Sequence, residues 1–129
     1  MAARQESLPG AELHFEGDSL EMLSGFPDEV KRALGFSLRQ LQIGREPTSQ
    51  TRSMNSIGAG VYELKEADER AWYRVIYLSR IGNTIFVLHS FEKESRKTDR
   101  RDIEIARQRL KLIRQRLQEQ RSHEKRSGK

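Results

Sequence analysis

Three side chains in this sequence become chemically suggestive when taken together: Arg74 in WYRVIYL, and His89 and Lys93 in FVLHSFEK. A planar arginine fork suits a phosphate, and suits it better as negative charge builds during a reaction. An imidazole and an ammonium can move protons. Strand parity is what joins the three. WYRVIYL (72–78) and TIFVLHSF (84–91) read as strands joined by a short turn at Arg80-Ile81-Gly82-Asn83. A hairpin with a two-residue loop pairs residues whose numbers sum to an odd value, so an even residue faces an odd one. Arg74 then shares a sheet face with His89 and Phe91, and the same parity carries Lys93 onto that face just past the strand end. Lys97 lies close by. If VYELK (61–65) pairs in an odd register too, Glu63 can lie opposite Arg74. Cations this close disfavour one another's charged forms, which is a route by which a lysine serves as a base near neutral pH.

Each of these residues also has a plainer reading. Arg74 with Glu63 can be a cross-strand ion pair, and a lone histidine on a strand is commonly a packed residue. Lys93, Arg96 and Lys97 read equally as solvated loop charge, and Trp72, Tyr73 and Tyr77 as core and cross-strand packing. Spacing alone leaves these alternatives open. No metal site stands out, because His14, His89 and His123 are scattered and no carboxylate cluster has ligand spacing. Gly58-Ala59-Gly60 precedes a strand rather than a helix, so it is not a phosphate loop.

The elements that must position these residues follow from hydrophobic periodicity. ELHFEG (12–17) alternates, with Leu13 and Phe15 on one face, and predicts a short strand. Asp18 and Glu21 have capping-box spacing for a short helix carrying Leu20, Met22 and Leu23, ended by Gly25. Pro27 suits the first helical position, and Val30, Leu34, Leu38 and Leu41 then recur at helical steps until Gly44 and Pro47. Two helices joined by Gly-Phe-Pro predict a helical hairpin whose apolar stripe lies on the following sheet. Residues 45–59 read as a polar loop. Asp99 and Asp102 can cap a long C-terminal helix, in which Ile103, Ala106, Leu110, Ile113 and Leu117 form one stripe and arginine crowds the other faces. The expected fold is α+β: an N-terminal helical hairpin packed on a small twisted antiparallel sheet, with a C-terminal basic amphipathic helix. The expected organisation is a flexible leader (1–10), a single domain (11–121) and a flexible basic tail (122–129).

Composition narrows the partners. Charge is asymmetric: residues 91–129 hold 14 Lys/Arg against 7 Asp/Glu, and residues 1–90 hold 10 against 12, giving +7 and −2 within the net +5. A concentrated positive patch favours a polyanion, because each neutralised phosphate releases counterions. There are no cysteines, no apolar run of membrane-spanning length and no signal-peptide pattern in MAARQESLPG. These features predict a soluble, cytoplasmic protein with no membrane partner.

The order GAGVYELKE, WYRVIYL, FVLHSFEKESRKT and DIEIARQRL resembles the HigB-like, phage-derived branch of the RelE/ParE toxin superfamily. The residues that carry the resemblance are Gly58, Gly60, Glu63 and Leu64; Tyr73 and Arg74; Leu88, His89, Phe91 and Lys93; and Ala106, Arg109 and Leu110. One departure is Glu94, which stands where the branch usually has the second lysine of a pair. The resemblance implies the toxin of a type II toxin–antitoxin system, with a helix-turn-helix antitoxin, the ribosome and messenger RNA as partners and no cofactor. It implies a ribosome-dependent endoribonuclease in which Arg74 stabilises the scissile phosphate and Lys93 and Lys97 contribute charge and proton transfer. With His89 these are the expected catalytic residues, and Arg52, Lys65, Arg96 and Arg100 are expected along the RNA path. A ParE-like gyrase inhibitor and a non-catalytic nucleic-acid-binding relic of the fold are the alternatives.

Overall fold

The computed structural model describes residues 10–94 and 99–127. Its elements in chain order are β1 (Glu12–Phe15), α1 (Ser19–Ser24), α2 (Asp28–Gln42), β2 (Gln50–Ser53), β3 (Val61–Ala67), β4 (Trp72–Ile81), β5 (Thr84–Lys93) and α3 (Arg100–Ser127). The five strands form one sheet in the order β1-β5-β4-β3-β2. Only the β1–β5 pair is parallel. The architecture is the α+β arrangement expected from the sequence.

The sheet is covered on both faces. Leu23, Phe26, Val30, Leu34 and Leu38 of the helical hairpin pack on Leu64, Tyr73, Val75, Tyr77, Ile85 and Val87. On the other face Ala106, Leu110 and Ile113 of α3 pack on Val61, Ile76, Leu78, Phe86, Leu88 and Phe91. Double cover explains why β4 and β5 are apolar on successive residues, since both faces of each strand are buried. Leu34 is fully buried in the first layer, so truncating it to alanine costs about 2–5 kcal/mol.

Four local expectations differ from the structure. The loop expected at 45–59 contains β2, an exposed edge strand paired with β3. QTRS has no apolar alternation to announce it; the chain is drawn there by buried Ser49, which bonds Ser37 of α2 and Glu66 of β3. Pro27 is the residue before α2, which begins at Asp28. Asp18 precedes α1 but makes no side-chain cap, because its carboxylate is taken by Arg109. α3 continues to Ser127, past the tail boundary expected at 121; no glycine or proline interrupts it.

Candidate functional site

β4 and β5 pair as Arg74↔Phe91, Ile76↔His89 and Trp72↔Lys93, so Arg74, His89 and Lys93 share the α3 side of the sheet. Nearer the turn the register shifts twice, between Leu78 and Ile81 and between Ile76 and Tyr77. The first shift places an extra residue in β4 and the second an extra residue in β5. The two cancel, and the odd register returns at the site.

Glu63 is not opposite Arg74; Lys65 is, and Glu63 faces Ile76 two pairs further on. The arginine nevertheless reaches it diagonally, Nη1 to Oε1 at 3.1 Å. Arg74 is 0% exposed and Glu63 1%. Arg52 of β2 also approaches Glu63, at 3.4 Å. Lys65 lies over the Trp72 ring, 4.9 Å from its centroid. Of the cations expected to share this sheet face, the deepest is therefore sealed and paired.

The same pairing extends along the face. Lys93 Nζ meets the Asp99 carboxylate. His89 Nε2 lies 2.9 Å from Oδ1 of Asp102, in the first turn of α3. On its other side His89 Nδ1 is 3.4 Å from Arg109 Nη1, which also donates to the Leu88 carbonyl at 2.9 Å. A guanidinium can only donate, so Nδ1 accepts and Nε2 carries the proton toward Asp102. The ring stacks on Phe91, with centroids 4.7 Å apart. Burial pushes the His89 pKa down; the bond and charge of Asp102 push it back up, Arg109 lowers it further, and Asp18 raises it slightly. The net direction is down, which favours a neutral imidazole.

Arg109 completes the chain by reaching Asp18 at 3.0 Å, tying α3 to the start of α1. Its seat requires Gly17, whose φ is +54° and whose position would put a Cβ 2.5 Å from the guanidinium. Gly58, in the connection before β3, also lies close to α3: a Cβ there would meet the end of the Leu110 side chain at 2.6 Å.

His89, Lys93, Asp99, Asp102 and Arg109 line a single groove of about 720 Å³ between the end of β5 and the start of α3. Of the residues expected to do chemistry or bind RNA, His89 and Lys93 lie in this groove. Arg74 lies beneath the same face, Arg52 and Lys65 lie on the adjoining strands β2 and β3, and Arg100 is exposed at the start of α3. Arg96 and Lys97 fall outside the described residues. Asp102 and Arg109 belong to the site, although the sequence suggested only a cap and a core motif for them. Their signal was available: positions seven apart share a helix face, and Arg116, seven further on, binds Glu16 at 2.8 Å on the same flank. Among the described residues no group of three or more His, Asp or Glu is arranged to hold a metal ion, so no ligand set is assigned.

No helix is long and apolar enough to cross a membrane among the described residues. No curated protein matches the chain. The sequence model of one family, described as "Phage derived protein Gp49-like", matches residues 21–111. That span starts in α1 and ends within α3, so it takes in every groove-lining residue except Asp18. The chain belongs to the Gp49-like family of phage-derived proteins, within the RelE/HigB-like toxins.

Proposed function

We propose that this protein is the toxin of a type II toxin–antitoxin pair and cleaves messenger RNA on the ribosome, in the cytoplasm, by acid–base chemistry that needs no metal. Family membership supports the toxin role and an antitoxin partner. The observation that carries the chemistry is that His89 and Lys93 line one groove, each backed by a carboxylate from the start of α3.

In this reading the RNA's own 2′-hydroxyl attacks the adjacent phosphate. Neutral His89 takes the hydroxyl proton on Nδ1, and the resulting imidazolium is stabilised by Asp102 through Nε2–H. Arg109 moves from Nδ1 to the phosphate oxygens, where charge accumulates. Lys93, released from Asp99, gives a proton to the departing 5′-oxygen. The bond from phosphorus to the 5′-oxygen breaks as the bond to the 2′-oxygen forms. The products are a 2′,3′-cyclic phosphate and a 5′-hydroxyl. Arg74 and Lys97 add positive charge; Arg74 touches a phosphate only when the groove floor opens, since it is fully buried. The ribosome supplies substrate positioning that so small a site lacks.

The deciding experiment is induced expression in a bacterium followed by mapping of messenger RNA ends and their end groups. New internal 5′-hydroxyl ends within minutes are expected. Supercoiling changes without such ends would point instead to gyrase inhibition. The sealed Arg74 favours one other reading, a non-catalytic relic; it predicts neither new ends nor growth arrest.

A further inference from the structure

α3 carries its arginines on two flanks that are used differently. On the groove side, Arg109 and Arg116 are committed to Asp18 and Glu16. On the other flank, Arg100, Arg107, Lys111, Arg114, Arg121 and Lys125 recur at steps of seven, four, three, seven and four residues, and all are exposed. At about 100° per residue these six fall within roughly 40° of the direction of Arg107. Gln118 fills the gap in the row, and Glu104 at its margin is held by Arg107 at 2.7 Å. Among the described residues Lys111, Arg114, Arg121 and Lys125 have no carboxylate partner. From Arg100 to Lys125 the row is about 38 Å long, at roughly 1.5 Å per residue. Leu117 is the last residue of α3 to pack on the core, so the far end of the row projects beyond the body.

We infer that this flank of α3 is a docking surface for the phosphate backbone of an A-form RNA duplex, separate from the groove that holds His89. Charge complementarity selects a polyanion, and the absence of aromatic residues from the row argues against single strands, whose unstacked bases bind by stacking. A row regularly spaced along one continuous helix matches a regularly spaced line of phosphates. A-form RNA offers a wide, shallow minor groove edged by phosphates and 2′-hydroxyls. Gln118 within the row and Gln108 and Gln115 beside it line a surface groove of about 350 Å³ and can both donate to and accept from those hydroxyls. Binding by this surface is independent of sequence and steeply dependent on salt.

The test uses the full chain and a labelled 20-base-pair RNA duplex, with a DNA duplex of the same sequence and a single strand as comparisons. Anisotropy titrations across a salt series give affinity and slope. The K111E/R114E/R121E variant should bind duplex RNA at least tenfold more weakly, with a salt slope shallower by about three. R32E/R45E, which removes cations on and just after α2, should bind as the parent does, and circular dichroism should show all variants folded. Equal losses in both variants would reduce the effect to net charge. An unchanged K111E/R114E/R121E, or DNA or the single strand bound as tightly as duplex RNA, would overturn the inference. So would protection of this flank from lysine modification by an acidic protein partner but not by RNA.

Discussion

Arg74 and Glu63 meet across a diagonal of the sheet, Nη1 to Oε1 at 3.1 Å, with neither side chain open to water. A buried pair of this kind is costly to break from one side, because the surviving charge is left without compensation. Arg74→Ala is therefore expected to destabilise the fold by about 3 kcal/mol, a loss softened by Arg52, which also reaches Glu63. The double variant E63L/R74M should recover most of that stability in urea denaturation. If Arg74 also serves the reaction, toxicity stays lost in the refolded double variant; if it only braces the sheet, toxicity returns.

His89 links stability to pH. Its pKa is lowered in the folded protein, chiefly by burial, so around pH 6.5 the unfolded chain binds more protons than the folded one. Stability from this group is complete above that pH and declines as pH falls through 6.5 toward the folded value. His89→Gln should flatten the difference in melting temperature between pH 7.5 and pH 5.5. An unchanged pH profile in that variant would remove His89 as its source.

Asp102 opposes the effect of burial on His89 through both its hydrogen bond and its charge. Asp102→Asn keeps an acceptor for Nε2–H but removes the charge, so the His89 pKa should fall further. Proton-detected NMR titration of the imidazole checks the direction, and a rise would contradict the assignment. Cleavage should weaken with it, since the imidazolium formed during reaction loses its counter-charge.

Gly17→Ala introduces two costs, a left-handed backbone for a residue with a Cβ and a collision with the Arg109 guanidinium. The strain alone is about 1–2 kcal/mol. Because Arg109 holds both Asp18 and the Leu88 carbonyl, amide exchange should quicken at the start of α1 as well as in β5. Faster exchange confined to residue 17 and its neighbours would show that Arg109 does not couple the two.

Glu94 sits exposed on the rim of the His89 groove. Glu94→Lys restores a lysine pair and should raise RNA cleavage or leave it unchanged. A clear loss of cleavage with an intact fold would show that the groove uses this carboxylate.

The parts of the fold legible in the sequence were those fixed by burial. Val30, Leu34 and Leu38 mark α2, and the doubly apolar β4 and β5 announce a covered sheet. Parity put Arg74, His89 and Lys93 on one face, and that inference survived two irregularities it did not anticipate because they cancel. What was not legible was depth and pairing. Nothing in WYRVIYL distinguishes an arginine at the rim from one sealed beneath it, and β2 is held by a serine network rather than by any pattern of its own. Asp99 and Asp102 looked like helix caps; only the approach of α3 to β5 reveals them as partners of Lys93 and His89.

The parallel pairing of β1 with β5 sets an order on biosynthesis. β1 is made first, yet the strand it pairs with, Thr84–Val87, is made more than sixty residues later. The groove closes later still, when Asp102 and Arg109 arrive to meet a histidine already in place. Until β5 is made β1 has no strand to pair with, and until α3 docks His89 has neither Asp102 nor Arg109. A chain whose synthesis has reached β5 but not α3 thus cannot hold an assembled site, because Asp102 and Arg109 have still to be made. An activity that depends on the groove therefore waits for α3 to dock, which leaves an interval in which a partner can bind first.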